Sequence, residues 1–382
     1  MDDIPCDRCK VSSDAGHAFC TKCGKPVVRP PPETPAADGT ECGGCRISSD
    51  AGHAFCTVCG KPIVRAPIPE PPKEDGLRKL VSIVGVITVI ACTAMLFFEI
   101  YAVFWTMEGI LIGMEGYSIG IIFLAPFPVI LFYVSGMVAT FYYIFLVVAV
   151  IASFILLMLN SREGIARIFN GKLDKLDEMP LYAIVTMFAM YISINMILVL
   201  LVTSVGYDPA GLEDPDEEWM LWFALLEASV WEEVLCRVLM IGLPLMIFGL
   251  YMKQTGSWKL LFGRSEINRF SVFFIILSAA IFAMAHFSGW DLFKVMPTFV
   301  CGLALGYLFV RYGLYASIML HFLVDYMSSF VWVFGASPYA DEISTAELLL
   351  VLFMLSVVVL GIPFIVRYAK RGFDSVRTLF LK

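Results

Sequence analysis

The sequence predicts an all-α polytopic membrane protein of about eight or nine transmembrane helices, preceded by two small cysteine-rich modules. Of the 382 residues, 59% are hydrophobic and 16% are charged, with a mean hydropathy of +0.80. Ordinary soluble domains are about 45–50% apolar and about 25% charged. Apolar runs recur from residue 77 onward, whereas eight of the 11 cysteines lie within the first 59 residues. This composition excludes a soluble enzyme, and the net charge of -7 argues against nucleic acid as a partner.

The early cysteines form an internal repeat in which two Cys-x2-Cys pairs recur after 36 residues. Each pair can wrap a tight turn around one ion, and two pairs complete a tetrahedral thiolate site. Each copy resembles the short zinc ribbons of many prokaryotic membrane proteins, so the expected cofactor is one structural zinc ion per copy. Disulfides and a rubredoxin-like iron site are the alternatives. The predicted ligands are Cys6, Cys9, Cys20 and Cys23, and Cys42, Cys45, Cys56 and Cys59.

Composition divides the chain into six segments. Residues 1–26 and 41–62 hold the ribbons, and the Pro-rich linkers are 27–40 and 63–76. Residues 77–368 are the predicted transmembrane domain, and 369–382 form a basic tail. The chain opens without a basic start followed by an apolar run, so we expect no signal peptide and a cytosolic, reduced head. Semi-extended linkers would let the ribbons bind a protein partner near the membrane.

The apolar runs and the charges between them predict the topology. Segments 161–180, 251–269 and 367–382 carry four, four and five Lys or Arg residues. The positive-inside bias therefore places them, and both termini, in the cytoplasm of a multi-pass cell-membrane protein. Within 118–160, Pro126 and Pro128 indicate a broken or re-entrant part before one full helix at about 138–160. The runs are 79–105, 118–160, 181–205, 219–250, 270–288, 296–312, 314–332 and 347–366.

Several charges lie inside the apolar runs, where an ionisable group costs several kcal/mol unless it is paired or hydrated. The run 219–250 holds Glu227, Glu232, Glu233 and Arg237. Glu232 lies about 20 Å into this run, near mid-membrane. Glu233 and Arg237 are i,i+4 partners in the favoured order for an ion pair. A purely structural ion pair is the alternative to a role in catalysis.

Two further runs hold the remaining histidines of the apolar region. His286 lies near the end of 270–288, and His321 and Asp325 share one helix face at i,i+4 spacing. A carboxylate with two imidazoles can activate water or hold a metal ion. Each histidine could instead form an interhelical hydrogen bond with no chemical role.

The three motifs together resemble the CPBP intramembrane proteases, the group of CAAX prenyl endopeptidases and bacteriocin-processing or self-immunity proteins. The resemblance covers about residues 219–332. The carrying motifs are Trp231-Glu232-Glu233-x3-Arg237, Phe282-x3-His286 and His321-x3-Asp325.

The resemblance implies a hydrolase that cuts a peptide bond of a membrane-associated protein or peptide. Glu232 and His286 would activate the attacking water, and His321 with Asp325 would stabilise the oxyanion. Glu233 would support Glu232, and Arg237 would hold the acidic pair. Many members of the family have Asn at the position of Asp325. Because an ionised Asp would repel the oxyanion, this Asp must be protonated or paired with His321, or must bind metal. Participation of a metal stays open, as does prenylation of the substrate.

Two functions of other classes remain compatible with the sequence. One is a non-catalytic membrane scaffold or regulator that binds a partner through its ribbons. The other is a transporter in which the buried carboxylates relay protons, although no inverted repeat of the kind common in transporters is apparent. Loss of function on mutation of Glu232 or His286 would favour the protease.

Overall fold

The computed structural model describes residues 76–124, 127–173, 175–209, 217–288, 292–329 and 345–380, together with Val58. The chain divides into two compact units, Met1–Asp75 and Gly76–Lys382. The two predicted zinc ribbons, with all eight of their cysteines, lie outside the described residues. Zinc binding by the head therefore stays a prediction.

The second unit is mostly helical, as the sequence predicts. In the described part of the chain, eight α-helices and one β-hairpin follow one another, joined in several places by short 3₁₀ turns. The elements are α1 (Gly76–Gly113), β1 (Ser118–Leu124), β2 (Pro128–Ser135), α2 (Gly136–Phe169), α3 (Pro180–Ser204), α4 (Glu218–Tyr251), α5 (Arg269–Ala285), α6 (Leu292–Tyr312), α7 (Leu314–Asp325) and α8 (Thr345–Phe380).

Six of these helices are long and apolar enough to cross a membrane, judged by length and composition: α1, α2, α3, α4, α6 and α8. Helices α5 and α7 are apolar but shorter, with 17 and 12 residues, or about 26 and 18 Å at 1.5 Å per residue. Helix α6 has 21 residues and extends beyond the apolar run 296–312. The count of eight or nine spans stays a prediction.

A β-hairpin precedes the full helix α2, where the sequence predicts a broken or re-entrant segment. Strands β1 and β2 are antiparallel, with Ser118 opposite Ser135 and an irregularity between Ile121 and Ile122. Pro128 is the first residue of β2, a position where a missing N–H interrupts no ladder. The irregular part is therefore a strand pair, which departs from the all-α expectation. Side chains of β1 are alternately buried, whereas those of β2 are almost all exposed.

Helix α3 lies at the centre of the bundle. Every residue from Pro180 to Ser193 is buried, as expected for a helix that is apolar all round. Helix α8 packs closely on it, because a Cβ at Gly361 would lie 2.1 Å from the carbonyl oxygen of Ala189. The Ser193 hydroxyl lies 2.7 Å from the carbonyl oxygen of Val358. The close approach of small residues is the usual way in which membrane helices pack.

The three Lys- and Arg-rich segments meet at one end of the bundle. Asp177, in the turn before α3, accepts hydrogen bonds from Arg367 and Arg371 of α8. The Tyr312 hydroxyl donates to the backbone carbonyl of Asp177 at 3.0 Å. Nε of Arg264, in turn, donates to the carbonyl of Tyr312 at 2.8 Å. The segments that the positive-inside bias assigns to one side of the membrane are thus on one side of the fold.

Candidate active site

The first motif lies on α4 in a stretch with unusually wide turns. Residues Ala228–Glu232 and Val234–Gly242 are π-helical, a geometry that is rare and often found at functional sites. The wide turns end just before Pro244, which has no N–H to continue the hydrogen-bond ladder of the helix. This stretch holds the three charged residues of the motif: Glu232, Glu233 and Arg237.

Glu233 is completely buried and is surrounded by donors. Nε of Arg237 lies 3.2 Å from its Oε2, and both side chains are 0% exposed. Nδ1 of His321 lies 2.9 Å from Oε1, and the Ser317 hydroxyl donates to Oε2. A buried carboxylate is tolerated when it is paired and hydrogen-bonded in this way. The predicted i,i+4 ion pair is present, and it is closed to solvent.

Arg237 ties α4 to α5. Its Nη1 donates to the Ser278 hydroxyl oxygen at 3.2 Å, and its guanidinium carbon lies 4.7 Å above the centre of the Phe282 ring. Ser278 also lies 2.6 Å from the backbone carbonyl of Cys236. The buried cation is therefore held between a carboxylate, a hydroxyl and an aromatic face.

His286 follows the end of α5, in the 3₁₀ turn His286–Ser288. Its Nδ1 lies 2.8 Å from the carbonyl oxygen of Phe282. Because a carbonyl can only accept, this contact assigns the proton to Nδ1 and leaves Nε2 as an acceptor. That Nε2 faces Oε2 of Glu232 at 3.9 Å. The backbone of α5 thus fixes both the orientation and the tautomer of the imidazole.

His321 lies between carboxylates on both sides of its ring. Nδ1 contacts Glu233, while Nε2 lies 3.4 Å from Oδ2 of Asp325 and 3.9 Å from Oε2 of Glu232. The Phe282 ring packs edge-on against the imidazole at 5.6 Å. Acceptors at both nitrogens favour a doubly protonated imidazolium, which donates from each side.

Asp325, in the last turn of α7, completes the cluster of charged residues. This cluster consists of Glu232, Glu233, Arg237, His286, His321 and Asp325. Its Oδ2 lies 3.4 Å from His321 Nε2 and 3.2 Å from the Ser229 hydroxyl of α4. The same hydroxyl lies 2.7 Å from the carbonyl oxygen of Leu225. The predicted His321–Asp325 contact at i,i+4 spacing is therefore present, and α4 adds a polar neighbour.

The cluster has an accessible side and a closed side. The side chains of Glu232, His286 and Asp325 are 27%, 21% and 18% exposed. By contrast, His321 is 5% exposed and Glu233 is 0% exposed. Of the two adjacent glutamates, only Glu232 has a partly exposed side chain, although its Oε2 is itself buried.

The two imidazoles and the carboxylates of the site are side-chain types that can bind metal ions. Among the residues that the structure describes, no group of three or more His, Cys, Asp or Glu side chains is arranged to hold one. Oε2 of Glu232 is 3.9 Å from Nε2 of each histidine, and both nitrogens of His321 face carboxylates. The reaction proposed below uses these side chains alone.

The hairpin contacts the first motif through Trp231. The indole Nε1 donates to the carbonyl oxygen of Ile122 in β1 at 2.8 Å. The Tyr142 ring of α2 packs edge-on against the indole at 6.0 Å, and its hydroxyl donates to Oε1 of Glu227 at 2.8 Å. Trp231 thus links the hairpin and α2 to the helix that carries the glutamates.

Three polar residues of the membrane domain, Ser317, Ser229 and Glu99, are not part of the sequence motifs. Ser317 lies one turn before His321 on the same face of α7, and Ser229 lies one turn before Glu233 on α4. Neither hydroxyl gives a signal in the sequence, because serine is common in membrane helices. Glu99 does give a signal, because like Glu232 it is an ionisable residue within an apolar run, here 79–105.

A comparison with family models matched residues 215–327 to the family described as "Type II CAAX prenyl endopeptidase Rce1-like". The matched stretch contains all six residues of the cluster. The match supports the CPBP family and, at the level of the family, an intramembrane endopeptidase of the CAAX-protease type. Comparisons with curated proteins and with solved structures gave no match.

Proposed function

We propose that the protein is a CPBP-type intramembrane endopeptidase that hydrolyses a peptide bond of a membrane-associated protein or peptide. The observation that carries the proposal is the convergence of Glu232, on α4, with His286 after α5 and His321 on α7. Nε2 of each imidazole lies 3.9 Å from the same oxygen, Oε2 of Glu232. The three groups come from separate elements and meet at this oxygen, which is itself buried and has no hydrogen-bond partner within the described residues.

In the proposed reaction, Glu232 and His286 activate a water molecule. A gap of 3.9 Å is too long for a direct hydrogen bond, and it lets one water contact both Oε2 of Glu232 and Nε2 of His286. Glu232 takes one proton of this water while the oxygen adds to the carbonyl carbon of the scissile peptide bond. When the C–N bond breaks, the leaving amine takes that proton from Glu232. Protons and bonds then balance over one turnover.

His321 stabilises the oxyanion of the tetrahedral intermediate. As an imidazolium it directs Nε2–H toward Glu232 and Asp325, whose oxygens lie at 3.9 and 3.4 Å. Asp325 supports the positive charge of this imidazole, so its carboxylate does not face the oxyanion alone. Glu233 and Arg237 do not take part in proton transfer. They hold His321 and the wide turn of α4 in place.

The proposal extends to the head and to the topology. The repeated Cys-x2-Cys pairs support two structural zinc ions, bound by the eight cysteines of 6–23 and 42–59. In this proposal the ribbons bind a protein partner at the cytoplasmic face, both termini are cytoplasmic, and the bilayer is the cell membrane. The three basic segments at one end of the bundle support this orientation.

The test is peptide cleavage by the purified full-length protein in nanodiscs. Membrane-inserted peptides, prenylated and unprenylated, are incubated with the protein, and the products are identified by mass spectrometry. We expect Glu232→Gln and His286→Ala to abolish turnover without changing the unfolding temperature. Glu266→Gln, at an exposed position, is the matched control and keeps full activity. Undiminished cleavage by Glu232→Ala would refute the proposal and favour the scaffold.

A further inference from the structure

A polar cavity lies at the basic end of the bundle. Its volume is about 460 Å³, within the range of about 300–1,000 Å³ that is usual for small-molecule sites. Its wall comes from α2, the turn before α3, the segment between α4 and α5, the end of α6 and the start of α7. None of the six residues of the charged cluster lines this cavity. Its chemistry is therefore separate from cleavage.

The cavity lies where the membrane-crossing helices end. Helix α6 ends at Tyr312 and α3 begins at Pro180, and both residues line the cavity. The turn Ser257–Phe262, which precedes one part of the wall, carries the exposed side chain of Trp258. Tryptophan is enriched at the level where a membrane meets water. A ligand in this cavity is thus at the depth of a phospholipid headgroup.

Two arginines of the wall suit a phosphate group. Nε of Arg264 donates to the carbonyl oxygen of Tyr312 at 2.8 Å, and Nη2 donates to Oδ1 of Asn160 at 3.2 Å. The guanidinium carbon of Arg264 also lies 5.5 Å from the centre of the Tyr315 ring. These contacts fix its orientation, and Arg311 is the second guanidinium of the wall. An oriented guanidinium binds phosphate oxygens well, because its fork of N–H donors matches their geometry.

Ser265, directly after Arg264, adds a hydroxyl without a partner. Its Oγ is buried, and no hydrogen-bond partner for it lies within the described part of the chain. The backbone N–H of Ser265 donates to the carbonyl oxygen of Val310 at 2.8 Å, which fixes this segment against α6. Buried hydroxyls in native proteins are nearly always hydrogen-bonded. A phosphate oxygen in the cavity would satisfy this one.

The wall also holds two acids, Glu178 and Glu266. Among the described residues, neither acid forms an ion pair with a guanidinium of the wall, and the ion pairs at this end of the bundle involve Asp177 instead. Two cations and two anions thus line one cavity without neutralising each other directly. A simple anion would be repelled by the carboxylates, whereas a zwitterion complements both kinds of charge. The charges therefore predict a phosphate that carries a cationic group.

We propose that this cavity binds the phosphoethanolamine headgroup of a phospholipid from the leaflet at the basic end of the bundle. The phosphate oxygens accept hydrogen bonds from Arg264, Arg311 and Ser265, and the primary ammonium donates to the carboxylates of the wall. The ammonium has three N–H donors, and a trimethylated amine has none. Basic pockets between membrane helices are typical headgroup sites. Because the cavity is separate from the charged cluster, headgroup binding leaves cleavage unchanged.

Lipid retention by the purified full-length protein tests the proposal. The protein is extracted with mild detergent from nanodiscs that contain equal amounts of phosphatidylethanolamine, phosphatidylglycerol and phosphatidylcholine, and the lipid that remains bound is quantified by mass spectrometry. We expect phosphatidylethanolamine to be enriched about tenfold over each of the other two, the size of one hydrogen bond to a charged group. Equal retention of the three lipids would overturn the proposal.

Variants separate the two ends of the headgroup. Arg311→Gln should lower retention of phosphatidylethanolamine about tenfold. Lys370→Gln, an equal loss of charge at an exposed position of the same end, is the matched control and should leave retention unchanged. Glu178→Gln should instead reduce the preference for phosphatidylethanolamine over phosphatidylglycerol, because only the ammonium loses its acceptor. Wild-type retention in Arg311→Gln, or a wild-type preference in Glu178→Gln, would overturn the proposal.

A further variant covers the case in which Arg311→Gln does not fold. Ser265→Ala removes only the unpartnered oxygen, so we expect retention of phosphatidylethanolamine to fall about threefold in a folded protein. Retention equal to that of the wild type would contradict phosphate binding at this hydroxyl.

Soluble phosphoethanolamine distinguishes a lipid from a free ligand with the same chemistry. Millimolar phosphoethanolamine is added to the protein in nanodiscs that contain phosphatidylethanolamine, and the retained lipid is measured again. We expect no displacement, because the acyl chains hold the headgroup at a high local concentration. Complete displacement of the lipid by the soluble compound would overturn the lipid as the ligand of this site.

Discussion

Nδ1 of His321 lies 2.9 Å from Oε1 of Glu233, and this contact anchors one edge of the imidazole in the buried part of the site. Glu233 is also paired with Arg237 and bonded to Ser317, so the imidazole is held by a closed, charged network. The opposite nitrogen, Nε2, is then directed at Glu232 and Asp325. Two consecutive glutamates thus lie at opposite edges of one ring, Glu233 fully buried and Glu232 with a side chain that is 27% exposed.

This relationship predicts that the same Glu→Gln substitution lowers stability at position 233, and abolishes cleavage without lowering stability at position 232. Glu233→Gln leaves Arg237 as an uncompensated buried charge, which in soluble proteins costs about 3–5 kcal/mol. Glu232 has no ion-pair partner closer than 3.9 Å, so Glu232→Gln should leave the free energy of unfolding almost unchanged and abolish cleavage. The measurements are thermal unfolding in nanodiscs and turnover of the same preparations.

The control for this pair is Glu266→Gln, whose side chain is exposed. It should match the wild type in both measurements. Equal loss of stability in the two variants at 232 and 233 would contradict the division between the anchoring and the accessible glutamate.

Helical periodicity was enough to predict the local contacts of the site. The i,i+4 pairs Glu233–Arg237 and His321–Asp325 are both present in the structure. The mutual approach of the three helices could not be derived from periodicity, because it depends on tertiary packing. The roles assigned to these residues stay predictions.

Two features of the fold show why the rest was not predictable. The hairpin at 118–135 has an apolar composition that fits a helix as well as a strand, and short apolar runs are ambiguous in this respect. The wide turns of α4 end at Gly242, two residues before Pro244, and a Cβ at Gly242 would lie 2.3 Å from the carbonyl oxygen of Leu261. Sequence alone does not show that close approach.

A second prediction concerns the packing of α5 on α6. A Cβ at Gly302 would lie 2.9 Å from Cα of Ala279 and 3.3 Å from the Phe282 ring. Gly302→Val should therefore push α5 away, cost about 1–3 kcal/mol of stability as other overpacked cores do, and displace the carbonyl that holds His286. We expect a loss of turnover larger than the loss of folded protein. Unfolding curves and kcat measured on the same samples check it.

Gly109→Val, on α1, is the control for the glycine-to-valine change itself, since nothing lies within 4 Å of a Cβ at Gly109. It should retain both stability and turnover. If Gly302→Val behaved like Gly109→Val, close packing at Gly302 would not support the position of His286.

A third prediction tests the link between the hairpin and the site. Trp231→Phe keeps the aromatic contact with Tyr142 but leaves the carbonyl of Ile122 without its donor. An unsatisfied buried acceptor costs about 1–3 kcal/mol. Hydrogen exchange should therefore accelerate at 118–135 and change little in α3. Trp258→Phe, at a side chain that is 60% exposed, is the control and should leave exchange in the hairpin unchanged.

The last prediction concerns the metal content of the head. Two four-thiolate sites predict two zinc ions per purified chain, measured by elemental analysis after removal of loosely bound metal. Cys6→Ser with Cys9→Ser should remove one zinc ion, and the same change at Cys42 and Cys45 should remove the other. Iron in place of zinc would indicate rubredoxin-like sites.

The three buried cysteines of the membrane domain, Cys92, Cys236 and Cys301, provide the control. They form no disulfide and are enclosed by apolar side chains, so their replacement by Ala should leave the zinc content at two. The comparison also decides between metal and disulfides, because disulfide-bonded ribbons would contain no zinc and would resist alkylation until reduced. The zinc-depleted protein can also be compared with the wild type on a short peptide and on a full-length substrate. Equal cleavage of the short peptide with reduced cleavage of the full-length substrate would indicate that the ribbons bind substrate or partner rather than support the membrane domain.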